Sequence, residues 1–250
     1  MYLPFMSHFR CGSWPLLFLL LTTLGCQQVD TEAAEEAFTQ GRQQLEAGQT
    51  AAAIASFTQA IETDSSRADY YNARGVSYFE TGQYEQAQAD YSQAIRLDPE
   101  NYKPYYNRGR AYIAQQRYPL AIQSFDAALQ RDSTIHEIWN NRGVAHHLNG
   151  DYPKAIADFT HSLSLAPRNN IAHYNRGKLY YLTEDFASAK EDFDSTLSAN
   201  PNYPDALYAR GLARLAMNEE SGCDDVRRSV QLGYDKVDPE VREACGADHP

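Results

Sequence analysis

Small and apolar residues recur along this chain at one long period. Between Ala68 and Asn101 the sequence ADYYNARGVSYFETGQYEQAQADYSQAIRLDPEN carries Gly75 at its eighth place, Ala87 at its twentieth, Ala94 at its twenty-seventh and Pro99 at its thirty-second. Stepping 34 residues either way recovers the same skeleton without a gap, so that Gly41, Gly75, Gly109, Gly143, Gly177 and Gly211 share one register. Self-similarity at this period marks an array of helical units. Each unit predicts a first helix with an aromatic such as Tyr71, Tyr105 or Trp139, then a turn at Gly82, Gln116, Gly150 or Glu184. The second helix carries Ala87, Ala121, Ala155 or Ala189, followed by Tyr91, Phe125, Phe159 or Phe193. Small residues at the eighth and twentieth places let the paired helices approach, and the aromatics fill the space around the crossing. Pro99, Pro167 and Pro201 stop the second helix, because proline cannot donate to the helix ladder and restrains the residue before it.

The register divides the chain into units 34–67, 68–101, 102–135, 136–169, 170–203 and 204–237, followed by a segment 238–250. Both ends depart from the form. The first helix of the first unit, AAEEAFTQGRQQLEAG, is polar, as suits an end unit facing solvent. The sixth unit reads Glu219-Glu220-Ser221-Gly222-Cys223-Asp224-Asp225 where a second helix should open, which places that helix from about Cys223 to Leu232, with Gly233 as its cap. Asp238-Pro239-Glu240 then opens a short capping helix running through Cys245.

These residues resemble the tetratricopeptide repeat over roughly residues 34–237. The resemblance implies an all-α, right-handed α-solenoid of six helix-turn-helix repeats, with the first helices lining a concave inner face. It also implies a non-catalytic scaffold that binds protein or peptide segments there. Asn107, Asn141 and Asn175 stand one place before the arginine of units three to five, at a place that points to the inner face in such arrays. An amide both donates and accepts, so three of them at repeat intervals form a candidate ladder for an extended backbone; the competing reading is solvated asparagines of a favoured consensus. Tyr106, Tyr174, Tyr208, Tyr181 and Ile113 are placed on the same face as apolar contacts, with Asn140 and Lys178 as polar ones. The second places carry Asp69, Lys103, Glu137, Ile171 and Asp205, an incomplete basic set for the dicarboxylate clamp of chaperone-tail binders.

Arg74, Arg108, Arg142, Arg176 and Arg210 precede the glycine in every unit but the first, where an apolar residue is usual in this family. Asp90, Asp158 and Asp192 follow sixteen residues after Arg74, Arg142 and Arg176, and the first unit lacks both partners, with Gln40 and Ser56. The parallel loss predicts structural Arg–Asp bridges between paired helices, since a planar guanidinium satisfies a carboxylate with two bonds; a ligand role for these arginines is the alternative. Ser124 and Val226 take the acid's place in units three and six, which leaves Arg108 and Arg210 without that partner.

Residues 1–25 read as a signal peptide: Arg10, then an apolar run Trp14-Pro15-Leu16-Leu17-Phe18-Leu19-Leu20-Leu21 shorter than the roughly 20 residues a spanning helix needs. Leu24-Gly25-Cys26 looks like a bacterial lipobox, with Thr23 where that motif usually has Leu. The resemblance implies lipidation of Cys26, a tether over residues 26–33, and an envelope location; ordinary cleavage and secretion is the alternative. Gln27, not an aspartate, favours the outer membrane where the host has one. With Cys11 removed and Cys26 lipidated, Cys223 and Cys245 remain as one pair in an oxidising compartment, near the start of one helix and the end of the next. A disulfide between them is the expectation, two buried thiols the alternative.

Net charge −11 and the absence of a Lys/Arg run argue against nucleic acid as a partner. There is no HExxH, CxxC, GxSxG or phosphate loop, so no enzyme activity, cofactor or metal is expected. His146, His147, His161 and His173 fall at packing or surface places. The expected function is therefore an envelope adaptor, a lipoprotein that binds protein segments in its groove, with a glycan- or small-ligand-binding module on the Tyr/Asn-rich face as the alternative.

Overall fold

The computed structural model describes residues 30–247. The signal peptide and Cys26 lie outside the described residues. The described residues form thirteen helices, twelve of them in six antiparallel pairs. The pairs are α1 (Thr31–Glu46) with α2 (Thr50–Thr63), α3 (Ala68–Glu80) with α4 (Tyr84–Leu97), and α5 (Tyr102–Ala114) with α6 (Tyr118–Arg131). They continue with α7 (His136–Leu148) and α8 (Tyr152–Leu165), α9 (Asn170–Leu182) and α10 (Phe186–Ala199), and α11 (Pro204–Ala216) with α12 (Gly222–Gln231). A short α13 (Pro239–Ala244) closes the array. The result is an all-α right-handed solenoid.

The pairs close on the recurrent glycines. A Cβ built on Gly109 would lie 2.6 Å from the ring of Phe125, and one on Gly143 2.9 Å from Phe159, so only glycine admits the aromatic of the second helix. Phe57, Tyr91, Phe125, Phe159 and Phe193 are all buried in this way. The turn after each first helix needs a left-handed residue. Gly82 and Gly150 supply it without strain, while Gln116, Glu184 and Asn218 adopt it at φ of 59°, 63° and 60°. Helix starts are set by local chemistry: Asn101 caps α5 and Asn169 caps α9 through their side-chain oxygens, and prolines open α6, α8, α11 and α13.

First helices of successive units touch one another from α1 through α11, which makes their side of the array the tighter, concave one. At the far end Cys223 and Cys245 are joined by a disulfide, with their Cα atoms 4.9 Å apart. Arg227 donates to the Cys245 carbonyl at 2.7 Å, and the Asp238 N–H donates to the Tyr208 hydroxyl at 3.1 Å. Together these bonds fasten α13 and its approach onto the last repeat.

Unit six corrects one expectation. Arg210 does have a carboxylate partner, Asp225, bonded by Nε at 2.8 Å and Nη2 at 2.7 Å. The partner stands fifteen residues on instead of sixteen because α12 packs one residue early. Gly222 occupies the position of the recurrent alanine, and Val226 that of the recurrent aromatic, with each close to Gly211. A longer connection, residues 217–221, precedes that helix.

Candidate functional site

The inner face is held in register by the arginines, and four of them, Arg74, Arg142, Arg176 and Arg210, do more than bridge their own pair. Arg142 donates to Asp158 through Nε at 2.8 Å and Nη2 at 2.6 Å, and its Nη1 reaches Asp126 on the preceding unit at 2.7 Å. Arg74 holds Asp90 through two bonds of 2.8 Å and Thr58 at 3.2 Å; Arg176 holds Asp192 through two bonds of 2.8 Å and Thr160 at 3.0 Å. Arg210 likewise adds Asp194 at 2.6 Å. Among the described residues Arg108 hydrogen-bonds only Ser92, at 3.3 Å, and its Nε is buried without a partner, since Ser124 stands where the acid should be. The second grip, on the residue sixteen positions before the arginine, escaped the sequence reading. Its signal was present: Thr58, Ser92, Asp126, Thr160 and Asp194 are all hydroxyl or carboxyl residues at one place of the repeat. Burial works against the Arg142 charge, yet the bonds to Asp158 and Asp126 outweigh it and raise its pKa.

The asparagines are spliced into this frame. Asn107 Nδ2 donates to Asn72 Oδ1 at 3.0 Å, and Asn141 Nδ2 donates to the Tyr106 hydroxyl at 3.1 Å and to the Glu137 carbonyl at 2.8 Å. Each reaches across one repeat, so the ladder is cross-braced rather than free-standing. Asn72, which the sequence reading passed over, is its first rung; it sits one place earlier in its unit than Asn107 does. Burial raises the pKa of Tyr106 and keeps its phenol neutral. Asn175 is half-buried, and the Oδ1 of Asn140, in the preceding unit, is buried without a partner among the described residues.

Three hollows on this face bear on the residues above. The central one, about 980 Å³, is lined by Tyr106, Arg110, Glu137, Asn140, Asn141 and Ile171, together with His136 and the 166–169 turn. Arg110 lies over the Phe79 ring at 4.9 Å and the Tyr106 ring at 5.8 Å. Beside it, a smaller hollow of about 400 Å³ includes Lys103 and Asn107. The third is a narrower pocket of about 260 Å³ at the C-terminal end, lined by Tyr174, Tyr181, Tyr208, Tyr234, Lys178, Asp205 and His147 among others. The structure thus separates the residues singled out from sequence: Tyr106, Asn107 and Asn141 belong to the central region, Tyr174 and Tyr208 to the C-terminal pocket, and Asn175 lines neither. Arg110 and Tyr234 were not singled out, although Arg110 shares its repeat place with Lys178.

The histidines are dispersed. His173 pairs with Asp192 at 2.7 Å, and the His161 ring lies 3.9 Å from that of Trp139. No three metal-binding side chains gather among the described residues.

A tetratricopeptide repeat family profile matches residues 38–100, 72–134, 106–170, 149–204 and 174–219. The chain belongs to the tetratricopeptide repeat family. Members are generally repeat scaffolds for protein interactions, and generally non-catalytic. Among solved structures, pilF of Pseudomonas aeruginosa is 21% identical, with TM-score 0.74, covering 87% of this chain and 98% of its own. YrrB, described as a tetratricopeptide protein with an unusual peptide-binding site, is 19% identical with TM-score 0.65, covering 76% of this chain and 97% of its own. The Cut9-Hcn1 hetero-tetramer of the APC/C contains a chain 17% identical with TM-score 0.66, covering 87% of this chain and 43% of that one. At these identities the likeness is one of fold. No curated protein matches the chain in sequence.

Proposed function

We propose that this tetratricopeptide repeat protein is a lipid-anchored adaptor of the bacterial cell envelope that binds an extended protein segment along its concave face. The observation that carries the proposal is the braced amide ladder beside the central groove, where Asn107 and Asn141 are fixed by bonds to Asn72 and Tyr106. Fixing those amides in advance lowers the ordering cost of binding, while the side-chain Oδ1 of Asn107 has no hydrogen-bond partner among the described residues and can accept from a bound backbone. Packed helices lie about 8–10 Å apart, and an extended chain rises about 3.3 Å per residue. Rungs one repeat apart therefore meet a bound segment at about every third residue. The peptide-binding description of YrrB supports the same use of the fold.

The anchor rests on Cys26 in its lipobox-like setting. Cys26→Ser should release the protein from membranes; retention there would remove the anchor from the account. For the groove, the combined variant Asn107→Ala, Asn141→Ala and Asn175→Ala should lose partners that the wild type captures from envelope extract. Unchanged protein capture would remove the ladder from the account.

A further inference from the structure

The C-terminal pocket has chemistry that the segment-binding groove does not need. Its cation, Lys178, sits half-buried with Nζ 4.9 Å from the centre of the Tyr174 ring. The arginines of units two, four, five and six each hold an aspartate, whereas Lys178 has no carboxylate within 4.0 Å among the described residues. Asp205, on the next first helix, faces the same pocket without closing an ion pair. His147 lines it as well, and its Nδ1 is buried without a hydrogen-bond partner among the described residues. Burial lowers the pKa of Lys178, against the opposing field of Asp205, as befits an ammonium stripped of water and lacking a counter-ion.

The walls are aromatic and fixed. The Tyr208 and Tyr234 rings lie 4.8 Å apart, and the Tyr208 hydroxyl is tied to the backbone of the cap. Tyr234 follows α12, so the disulfide-fastened end of the chain supplies one side of the pocket. At about 260 Å³ the space lies just below the roughly 300–1,000 Å³ of drug-sized sites and suits one ring-sized group.

We propose that this pocket is a second binding site, separate from the groove, for a small organic monocarboxylate: an aromatic or branched apolar group among the tyrosines, with its carboxylate on Lys178. The lone ammonium supplies the attraction, and the buried setting strengthens it. Asp205 sets the limit of one negative charge, because a second carboxylate would be repelled by it.

The test uses calorimetric titration of the purified full chain with 3-phenylpropionate, its uncharged amide, phenylsuccinate and the blocked dipeptide acid N-acetyl-glycyl-phenylalanine. The acid should bind, with the amide and the dicarboxylate weaker by at least about tenfold, the loss of one charge-assisted bond. Lys178→Met should bind acid and amide alike while keeping the wild-type melting temperature or exceeding it. The combined asparagine variant should bind 3-phenylpropionate as the wild type does, so that failure of the groove reading and failure of this one are separable. Equal binding of acid and amide by the wild type, or no binding of either, overturns the proposal. Binding of the dipeptide acid alone also overturns it, because the occupant would then be a chain end.

Discussion

Arg142 grips Asp126, a residue of the preceding repeat, at 2.7 Å while both remaining arms of its guanidinium hold Asp158 of its own repeat. One side chain thereby joins three helices and fixes how one unit stacks on the next. The two acids differ in exposure: the Asp158 side chain is 6% accessible and that of Asp126 is 48%.

That difference sets unequal costs. Asp158→Ala should destabilise the protein by about 3–5 kcal/mol, because it strands a buried guanidinium. Asp126→Ala should cost under about 1 kcal/mol, as for exposed pairs. Urea unfolding of the two variants should rank them in that order, and equal losses would contradict the account of the clamp.

Unit three offers the converse. Ser124, buried at 2% accessibility, holds the repeat place of the acid that would pair with Arg108, whose Nε lacks a partner among the described residues. Ser124→Asp supplies the missing acid at the spacing of the neighbouring units and should raise stability by about 1 kcal/mol, a net charged hydrogen bond less its desolvation. A higher urea midpoint is the expected reading.

Gly222 marks the displaced helix of unit six. A Cβ there would stand 2.6 Å from the backbone oxygen of Gly211 and 2.7 Å from Leu215, with no flexible side-chain tip to yield to the oxygen contact. Gly222→Ala should therefore cost about 1–3 kcal/mol by overpacking, with the loss visible in thermal unfolding.

Acid should loosen the array. Burial is the main cause holding His146 below its ordinary pKa of 6.5, with Asp158 opposing and Arg142 reinforcing it. Burial, then Lys178, does the same for His147. The folded protein thus binds fewer protons than the unfolded chain, so this contribution is complete above 6.5 and lost as pH falls through the lower folded values. The urea midpoint should drop between about pH 7.5 and about pH 5, and less so in His146→Gln.

Much of the scaffold is legible in the chain because packing repeats. Gly109 must face Phe125, and the same steric demand recurs every 34 residues. The Arg210–Asp225 bridge is hidden because α12, after a longer connection, packs each residue one place ahead of the repeat register, and a fixed register assigns Val226 where Asp225 acts. The ladder is half legible: Asn107 and Asn141 are evident by position, but their partners Asn72 and Tyr106 lie across the repeat boundary, where proximity comes only from stacking. Tyr234 is illegible for a related reason. It comes from the irregular segment after α12, and only the fastened cap brings it to Tyr208.

The central claim is that a protein segment lies along the concave face on the braced asparagines. A photo-crosslinking amino acid at Ile171, which is 61% exposed beside the central groove, tests this directly when paired with one at the exposed Gln123 of α6. In envelope extract the probe at position 171 should give a protein adduct that disappears in the combined Asn107, Asn141 and Asn175 alanine variant, and the probe at 123 should give none. An adduct that survives loss of the asparagines, or one formed from position 123 alone, would contradict the account.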